Sequence, residues 1–550
     1  MQKKILSLHP DISRGKQRLL WFSRILGLMS TIALSLLAAY EMSIELDGVR
    51  YFWLDDDQMI SMRYAHNLSE GHGLVWNPGE PVEGYSNFLW TLLMAAVHLL
   101  PISLAKTALA MKLINLGFAI CVLVLSEKIL RKYQPKSLIA VPTLWLSMAL
   151  CGDLLFWSAN GFETTLLTAV FLASIWLFLR DPAGRKSAWL PFFLMSMLPL
   201  IRVDALFPWM GAAIFGLWNS PNRKKTSLAM ACSLIPVALH FLWRNHYYGE
   251  WLPNTYFLKV HGNPDLWKKG LLYLFRFTQA YWLAGILALL AWRHRESKAL
   301  GPLILAVALG LLFPIIVGKD SFRYARFLAH AIPLLIILAI LGVEYLFEQK
   351  PGLGIALAIG LILSIWLGPH GARSPAHIVS TQGSPVYGTI LGKAIEHNTD
   401  KDIRIAVLSA GALPYFSLRY GIDLLGKTDP RIAKTQANLE GGAGHNKINV
   451  SLSLSSKPDL LAVGIAPSRI KSWISLLKEG KAKEITRTQE YAIALVRDES
   501  FQQLYAPNPV ALSALLDGKT ALLVHPESQL FLKKTRWKFP QIGPHRRLSR

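Results

Sequence analysis

Long, nearly uncharged apolar runs recur along this chain, most of them about 16–22 residues, close to what a helix needs to cross a bilayer. Inside lipid every backbone N–H and C=O must be satisfied within its own segment, so such runs have to be helical. They fall near 20–40, 107–127, 137–152, 161–179, 187–200, 204–218, 227–243, 271–291, 299–317, 327–346 and 353–369, with a further apolar stretch at 86–100. Charged residues are only 17% of the chain, against about 25% in an average soluble domain. The expected fold class is a polytopic α-helical membrane protein.

The net charge of +23 arises from 58 Lys and Arg against 35 Asp and Glu. The basic residues sit in short connectors, Lys128–Lys136, Arg180–Lys186, Asn219–Lys225, Arg293–Lys298 and Glu348–Lys350, all but the last clearly positive. Positive connectors mark the cytoplasmic side, and no arginine-and-aromatic nucleic-acid motif accompanies them. Membrane lipids, and not nucleic acid, are the partners this charge pattern implies. The stretch before residue 25 is basic, and no clear cleavage site follows the first run, so that run is expected to be an anchor with its basic end inside. From an inside start, loop 41–85 lies outside and loop 128–136 inside, which leaves room for one crossing between those two loops where two apolar runs stand. The stretch 86–100 is therefore expected to be interfacial, giving about eleven crossings, within a range of ten to thirteen. Loops 41–85, 153–160, 201–204, 244–270 and 318–326 then face outward.

Cys121, Cys151 and Cys232 all lie in apolar runs, with neither metal-ligand spacing nor a disulfide pattern. Beyond Pro369 the apolar runs cease. Residues 1–369 read as a transmembrane domain and 370–550 as a small α/β domain outside the cytoplasm with a basic tail. Strand-like runs occur at Ile403–Leu408, Leu460–Gly464, Ala492–Val496 and Thr520–Val524, and helical patterning near Val386–His397 and Pro467–Glu479.

The chemistry concentrates in the first outer loop. Asp55, Asp56 and Asp57 stand side by side after Leu54, with Arg63 on the helical face of Asp56 and Asp57. Three adjacent carboxylates repel one another unless a cation, a positive ligand or a shared proton relieves them. The bland alternative is a helix cap, since Asp suits both the N-cap and the first turn. A divalent cation could sit at Asp55, Asp56 and Asp57, though nothing in the spacing demands one. Further along the loop, Trp76 and Tyr85 are either interfacial anchors or faces for sugar rings.

The ordered string Asp56-Asp57-x-x-Ile60-x-x-Arg63-Tyr64-Ala65-x-Asn67-Leu68, Gly71-x-Gly73-Leu74-Val75-Trp76-Asn77 and Glu83-Gly84-Tyr85-x-Asn87-Phe88-Leu89-Trp90 resembles the GT-C membrane glycosyltransferases. Within them it is most similar to the group related to the mycobacterial terminal arabinofuranosyltransferase. Gly161-Phe162-Glu163-Thr164, Ile201-Arg202-Val203-Asp204, Tyr248-Gly249 with Leu252-Pro253-Asn254-Thr255, and Gly318-Lys319-Asp320 with Arg323 and Arg326-Phe327 look like further elements of that group. Val203 replaces its usual proline and Lys319 a glycine. Gly411 to Tyr415, Asp423 to Gly426, and Gly444-His445-x-Lys447 echo it in the last third, so the likeness runs over about residues 50 to 465.

The resemblance implies transfer of a sugar, arabinofuranose in the nearest group, from a polyprenyl-phosphate donor to a cell-envelope glycan or glycolipid. That reaction would occur at the outer face of the bacterial cytoplasmic membrane. As the first acid of the matched pair, Asp56 is implied to be the base or the stabiliser of an oxocarbenium-like sugar, with Asp57 orienting the site. A lipid phosphate needs a guanidinium fork or an ammonium; the candidates are Arg63, Arg323, Arg326 and Lys259. Candidates for contact with sugar or acceptor are Trp76, Asn77, Glu83, Tyr85, Asn87, Glu163, Arg202, Asp204, Asn254, Tyr256 and Asp320. A transporter or flippase of lipid-linked sugars is the alternative, disfavoured because the sequence shows no repeated halves.

Overall fold

The computed structural model of this chain describes residues 10–463 apart from 181–188, 221, 261–264, 294–299, 321, 323, 380–383 and 438–443. Beyond them it describes 472, 474, 475, 479, 494, 498, 499, 501–505, 521–524 and 540–543. Most of the basic tail, most of the patterned stretch 467–479 and nearly all of the run 492–496 lie outside the described residues.

Two compact units emerge, each assembled from separated pieces of chain. One comprises Met1–Glu41, Lys112–His240 and Asp265–Ser380; the other comprises Met42–Met111, Phe241–Pro264 and Thr381–Arg550. The last third of the chain thus shares a unit with residues 42–111.

The first unit is built from apolar helices. Among the described residues four are long and apolar enough to cross a membrane: Gly15–Glu41, Leu104–Lys132, Arg223–Tyr248 and Ile332–Gln349. Two bent pairs raise the number to six if each pair is one span. They are Gly152–Ala159 with Thr164–Arg180, bent by 120°, and Leu266–Ala280 with Trp282–Arg293, bent by 78°. The remaining expected spans fold as shorter apolar helices of 10–17 residues, such as Ala140–Ala149 and Leu190–Ile201. Length and composition therefore establish a multi-helix integral membrane protein without reaching eleven crossings. At 202–205 the helix Leu190–Ile201 ends, the chain turns extended at Arg202, and a 3-10 turn leads into Leu206–Asn219.

Helix Ile332–Gln349 lies at the centre of this unit, with most of its residues buried. Its Gly342 brings it close to helix Trp282–Leu290, since a Cβ there would stand 2.0 Å from the Leu287 carbonyl oxygen. Small residues at a crossing allow two membrane helices to pack backbone to backbone, where dispersion replaces the hydrophobic drive that lipid cannot supply.

The second unit begins with an antiparallel hairpin, β1 (Ser43–Leu46) and β2 (Val49–Phe52), in register Ser43 to Phe52. Helix Asp56–Ser69 follows and packs against helix Phe88–His98. The latter has 11 residues, about 16 Å at the helical rise, roughly half a hydrocarbon core.

A four-stranded sheet completes this unit in the order β4-β3-β5-β6: β3 (Arg404–Val407), β4 (Tyr420–Asp423), β5 (Leu460–Val463) and β6 (Ala521–Val524). β3 runs parallel to β4 and β5, and β6 is antiparallel to β5. Helix Ser384–Asn398 packs against the short helix Ala412–Ser417. That short helix connects β3 to β4 and carries the chain past the start of helix Asp56–Ser69.

Candidate active site

The three adjacent aspartates take three different partners. Asp55 is the N-cap of helix Asp56–Ser69, and its carboxylate accepts the Asp57 N–H at 3.1 Å. Asp56 points at the start of the short helix, where its carboxylate accepts the Ala412 N–H at 3.0 Å. Asp57 pairs with the Lys427 ammonium at 2.6 Å. The triplet thus supplies one helix cap and two contacts to the last third of the chain. The three carboxylates point to different partners and do not converge. Among the described residues no group of three His, Cys, Asp or Glu is arranged to hold a metal.

Burial raises the Asp56 carboxyl above its ordinary range; the Lys427 charge and the Ala412 N–H pull it back, and the Asp57 charge adds to the rise. Asp56 keeps some exposure to solvent, yet the surrounding protein is dense enough to disfavour its charged form. Lys427 loses by burial and gains more from Asp57 and Asp56, so it is held well above the usual lysine range. Its charge in turn presses His445 below the ordinary histidine range, with Lys259 adding to the effect. Two acids, two lysines and a histidine of one unit therefore share a field. Of these, the expected Lys259 lies on helix Asn254–Lys259.

The close fit at Asp56 has a sharp requirement. A Cβ on Gly411 would stand 2.1 Å from the Asp56 backbone oxygen and 2.7 Å from its carboxylate Oδ1. Gly411→Ala is expected to displace the acid, lower activity at least about 10-fold and destabilise by about 1–3 kcal/mol, as overpacking does. Activity and thermal unfolding of the variant check this; a full-activity variant would show that Asp56 need not sit where it does.

Several expected contact residues instead hold the loop in shape. Arg63 is buried and donates to four acceptors: Nε to Trp76 O at 2.6 Å, Nη1 to Pro414 O at 2.5 Å, and Nη2 to Asn77 Oδ1 at 3.0 Å and Arg419 O at 2.7 Å. Its guanidinium also lies over the Trp76 ring at 4.7 Å. A guanidinium so committed clasps chain segments together and has little left for a phosphate. Trp76 is buried and donates its indole N–H to Ala410 O. Asn77 bonds Gly421 through both N–H and C=O, pinning the loop to β4.

The Tyr85 hydroxyl meets that of Tyr248 at 3.2 Å. Asn87 accepts from Ser61 and Thr91. Glu83 forms a deeply buried pair with Arg244, at 2.7 Å, and burial pushes its carboxyl up to about 7 against the opposing Arg244 charge. Asn254 donates to the carbonyls of Gly426 and Lys427, both at 2.9 Å. Tyr256 is the exposed member of the group, at 41%.

In the first unit, Arg202 bridges Glu163 at 2.7 Å and Asp204 at 2.8 Å. Arg326 makes a two-pronged pair with Asp320, Nε to Oδ2 at 2.7 Å and Nη2 to Oδ1 at 2.8 Å. Its guanidinium lies over the rings of Phe322, Phe162, Phe327 and Trp157, at 4.7–5.9 Å. Arg323 lies outside the described residues. A further acid absent from the expected set, Asp153, is fully buried. It accepts from the Ala325 N–H, the Tyr281 hydroxyl and His370 Nδ1, at 2.6–2.7 Å, and so anchors the chain just before Arg326. Lys427 was likewise not legible as a site residue. The turn Asp423 to Gly426 stood out beside it, but nothing local links a lysine to an acid 370 positions away.

A family model described as a domain of unknown function (DUF8728) matches residues 378–509. Over 285 residues the chain is 26% identical to a terminal beta-(1->2)-arabinofuranosyltransferase of Mycobacterium tuberculosis, a match covering 49% of this chain and 42% of that protein. A protein of the same name from Corynebacterium glutamicum is 25% identical over 359 residues, covering 57% of this chain and 51% of its own length. The chain thus spans about half the length of the curated relatives it matches. The crystal structure of ArnT from Cupriavidus metallidurans bound to undecaprenyl phosphate superimposes with a TM-score of 0.55, over 91% of this chain and 97% of that one, at 10% identity. The chain therefore has the fold of the GT-C membrane glycosyltransferases and resembles, among them, the terminal arabinofuranosyltransferases.

Proposed function

We propose that this protein transfers a sugar, arabinofuranose in the first instance, from a polyprenyl phosphate to a cell-envelope glycan or glycolipid. The observation that carries the reading is Asp56: a carboxylate with raised proton affinity, beside an ion-paired second acid, within the part of the chain that resembles the arabinofuranosyltransferases. A base that accepts a hydroxyl proton works best when its pKa approaches the working pH. In this scheme Asp56 takes the proton of the acceptor hydroxyl as the C–O bond to the sugar forms, and the donor phosphate leaves with the electron pair of the bond it loses. The binding of undecaprenyl phosphate by ArnT supports a polyprenyl-phosphate donor.

Arg326 is proposed to receive the donor phosphate. Its fork, paired with Asp320 in this structure, would exchange that carboxylate for two phosphate oxygens when the donor binds, and the surrounding rings lower the local dielectric, which strengthens the attraction. Arg326→Lys keeps the charge and loses the fork. It is expected to cut turnover about 30-fold and raise the donor KM; unchanged kinetics would remove Arg326 from the reaction.

Envelope glycan analysis of a deletion strain, followed by assay of membranes with candidate polyprenyl-phosphate sugars, tests the function itself. Loss of a terminal sugar supports transfer, whereas accumulation of a lipid carrier on the inner leaflet would point to transport. The proposal places the chain in the cytoplasmic membrane with about eleven crossings and its last third outside. Labelling of a cysteine introduced at the exposed Ser451 by a membrane-impermeant thiol reagent tests that orientation.

A further inference from the structure

Lys427 sits where a chance surface lysine would not. Its side chain is only 11% exposed and its ammonium lies 2.6 Å from Asp57. The turn that carries it is clamped from several directions. The Asp423 carboxylate accepts from Leu425 N at 3.0 Å, Thr428 N at 2.8 Å and Thr428 Oγ1 at 3.3 Å. Asn254 takes up the Gly426 and Lys427 carbonyls. Gly426 adopts φ +77°, open to glycine at little cost. Gly84 leaves room for the turn, because a Cβ there would stand 2.7 Å from Thr428 and 3.0 Å from the Lys427 carbonyl oxygen. Three separated stretches of the unit thus hold one lysine against the acid pair. Free surface ion pairs contribute little and need no such support.

We propose that Lys427 is a positioning residue for glycosyl transfer: it holds Asp57 away from the acceptor proton and leaves Asp56 as the carboxylate that takes it. The assignment rests on the reading of Asp56 as base. Without the ammonium, two acids one residue apart would compete for one proton and share it. With it, their roles separate, Asp57 bound to a cation and Asp56 to a backbone N–H. The charged and titratable groups around Lys427 are Asp56 and Asp57 on helix Asp56–Ser69, Asp423 on its own turn, and His445, with Lys259 acting on His445. The last third of the chain therefore supplies part of the acid site in addition to any contact with acceptor.

The test uses the purified full-length protein in detergent. A hydrophobic carbodiimide modifies protonated carboxyls, and mass spectrometry of the Asp56 peptide gives the pH at which modification is half lost. Because the Lys427 charge opposes protonation of Asp56, Lys427→Met moves that midpoint up by about one unit or more, while Lys427→Arg leaves it near the wild-type value. Asp57→Asn, which removes a like charge and releases the lysine toward Asp56, moves it down. In membranes supplied with farnesyl-phosphoryl arabinofuranose, Lys427→Met lowers kcat about 30-fold with a much smaller change in donor KM. Its acid limb moves to higher pH, so the loss is greater at pH 6 than at pH 8. Lys427→Arg restores most of the rate.

An unmoved labelling midpoint in Lys427→Met protein that melts like wild type overturns the proposal. So does a folded Lys427→Arg protein as impaired as Lys427→Met. If Lys427→Met does not accumulate, Lys427→Gln carries the same test, and an unmoved midpoint in that protein overturns the proposal. Full activity in Asp56→Asn would instead defeat the base assignment, and the labelling results would still report whether Lys427 controls the acid pair.

Discussion

Asp56→Asn lowers product formation by about three orders of magnitude while the protein still accumulates in the membrane. General base catalysis contributes typically 10²–10⁴-fold, and a thousandfold loss corresponds to about 4 kcal/mol of transition-state stabilisation. The substitution isolates the chemistry because asparagine keeps the shape and keeps an oxygen that can accept the Ala412 N–H, as Asp56 does at 3.0 Å. What disappears is the proton-accepting capacity and the negative charge. Asp57→Asn is expected to cost less, about 10-fold, since Asp57 acts through its pair with Lys427. The measurement is transfer in membranes carrying equal amounts of each variant, with terminal-sugar content of the envelope as the readout in cells. Near-normal transfer by Asp56→Asn would sink the proposed mechanism.

The largest expected stability effect belongs to Arg244→Met. Arg244 and Glu83 are almost completely withdrawn from solvent, at 1% and 2% side-chain exposure, and approach to 2.7 Å. Removing one member of such a pair strands the other, at a cost of about 3–5 kcal/mol. Glu83 would then protonate at neutral pH, because burial already pushes it up to about 7 with the arginine present. The damage would spread toward the acid site. The Glu83 carbonyl accepts the Asn254 N–H at 2.9 Å, and Asn254 in turn holds the turn of Lys427. Thermal unfolding in detergent measures the effect, and the double variant Glu83→Gln with Arg244→Met is expected to recover most of it, since no ion is then left unpaired. A single variant that melts within a degree of wild type would show the pair to be dispensable.

Local physics made part of the site readable in advance. Aspartate before a helical pattern is a good cap, and Asp55 is one. Arg202 between two apolar runs needs a counter-charge in lipid, and it has Glu163 and Asp204. Trp76, Asn77, Tyr85 and Asn87 were less readable. Each side chain can face a sugar or satisfy the protein interior, and only packing decides which. Here Trp76 reaches Ala410 and Asn77 reaches Gly421, more than 330 positions away. β4 was missed for a similar reason: four residues that include Gly421 carry almost no strand signal until β3 lies beside them.

From the amino acids alone came the membrane class, the acid pair and the likeness to the arabinofuranosyltransferases. Run length, charge bias and short-range order carry all of these. Folding alone decided that Asp56 meets Gly411 and Ala412, that Lys427 claims Asp57, and that Arg63 is spent on carbonyls. Those partners lie some 350 positions off, and no local propensity can encode a contact of that range. It is selected by which buried polar groups remain to be satisfied once the chain has packed.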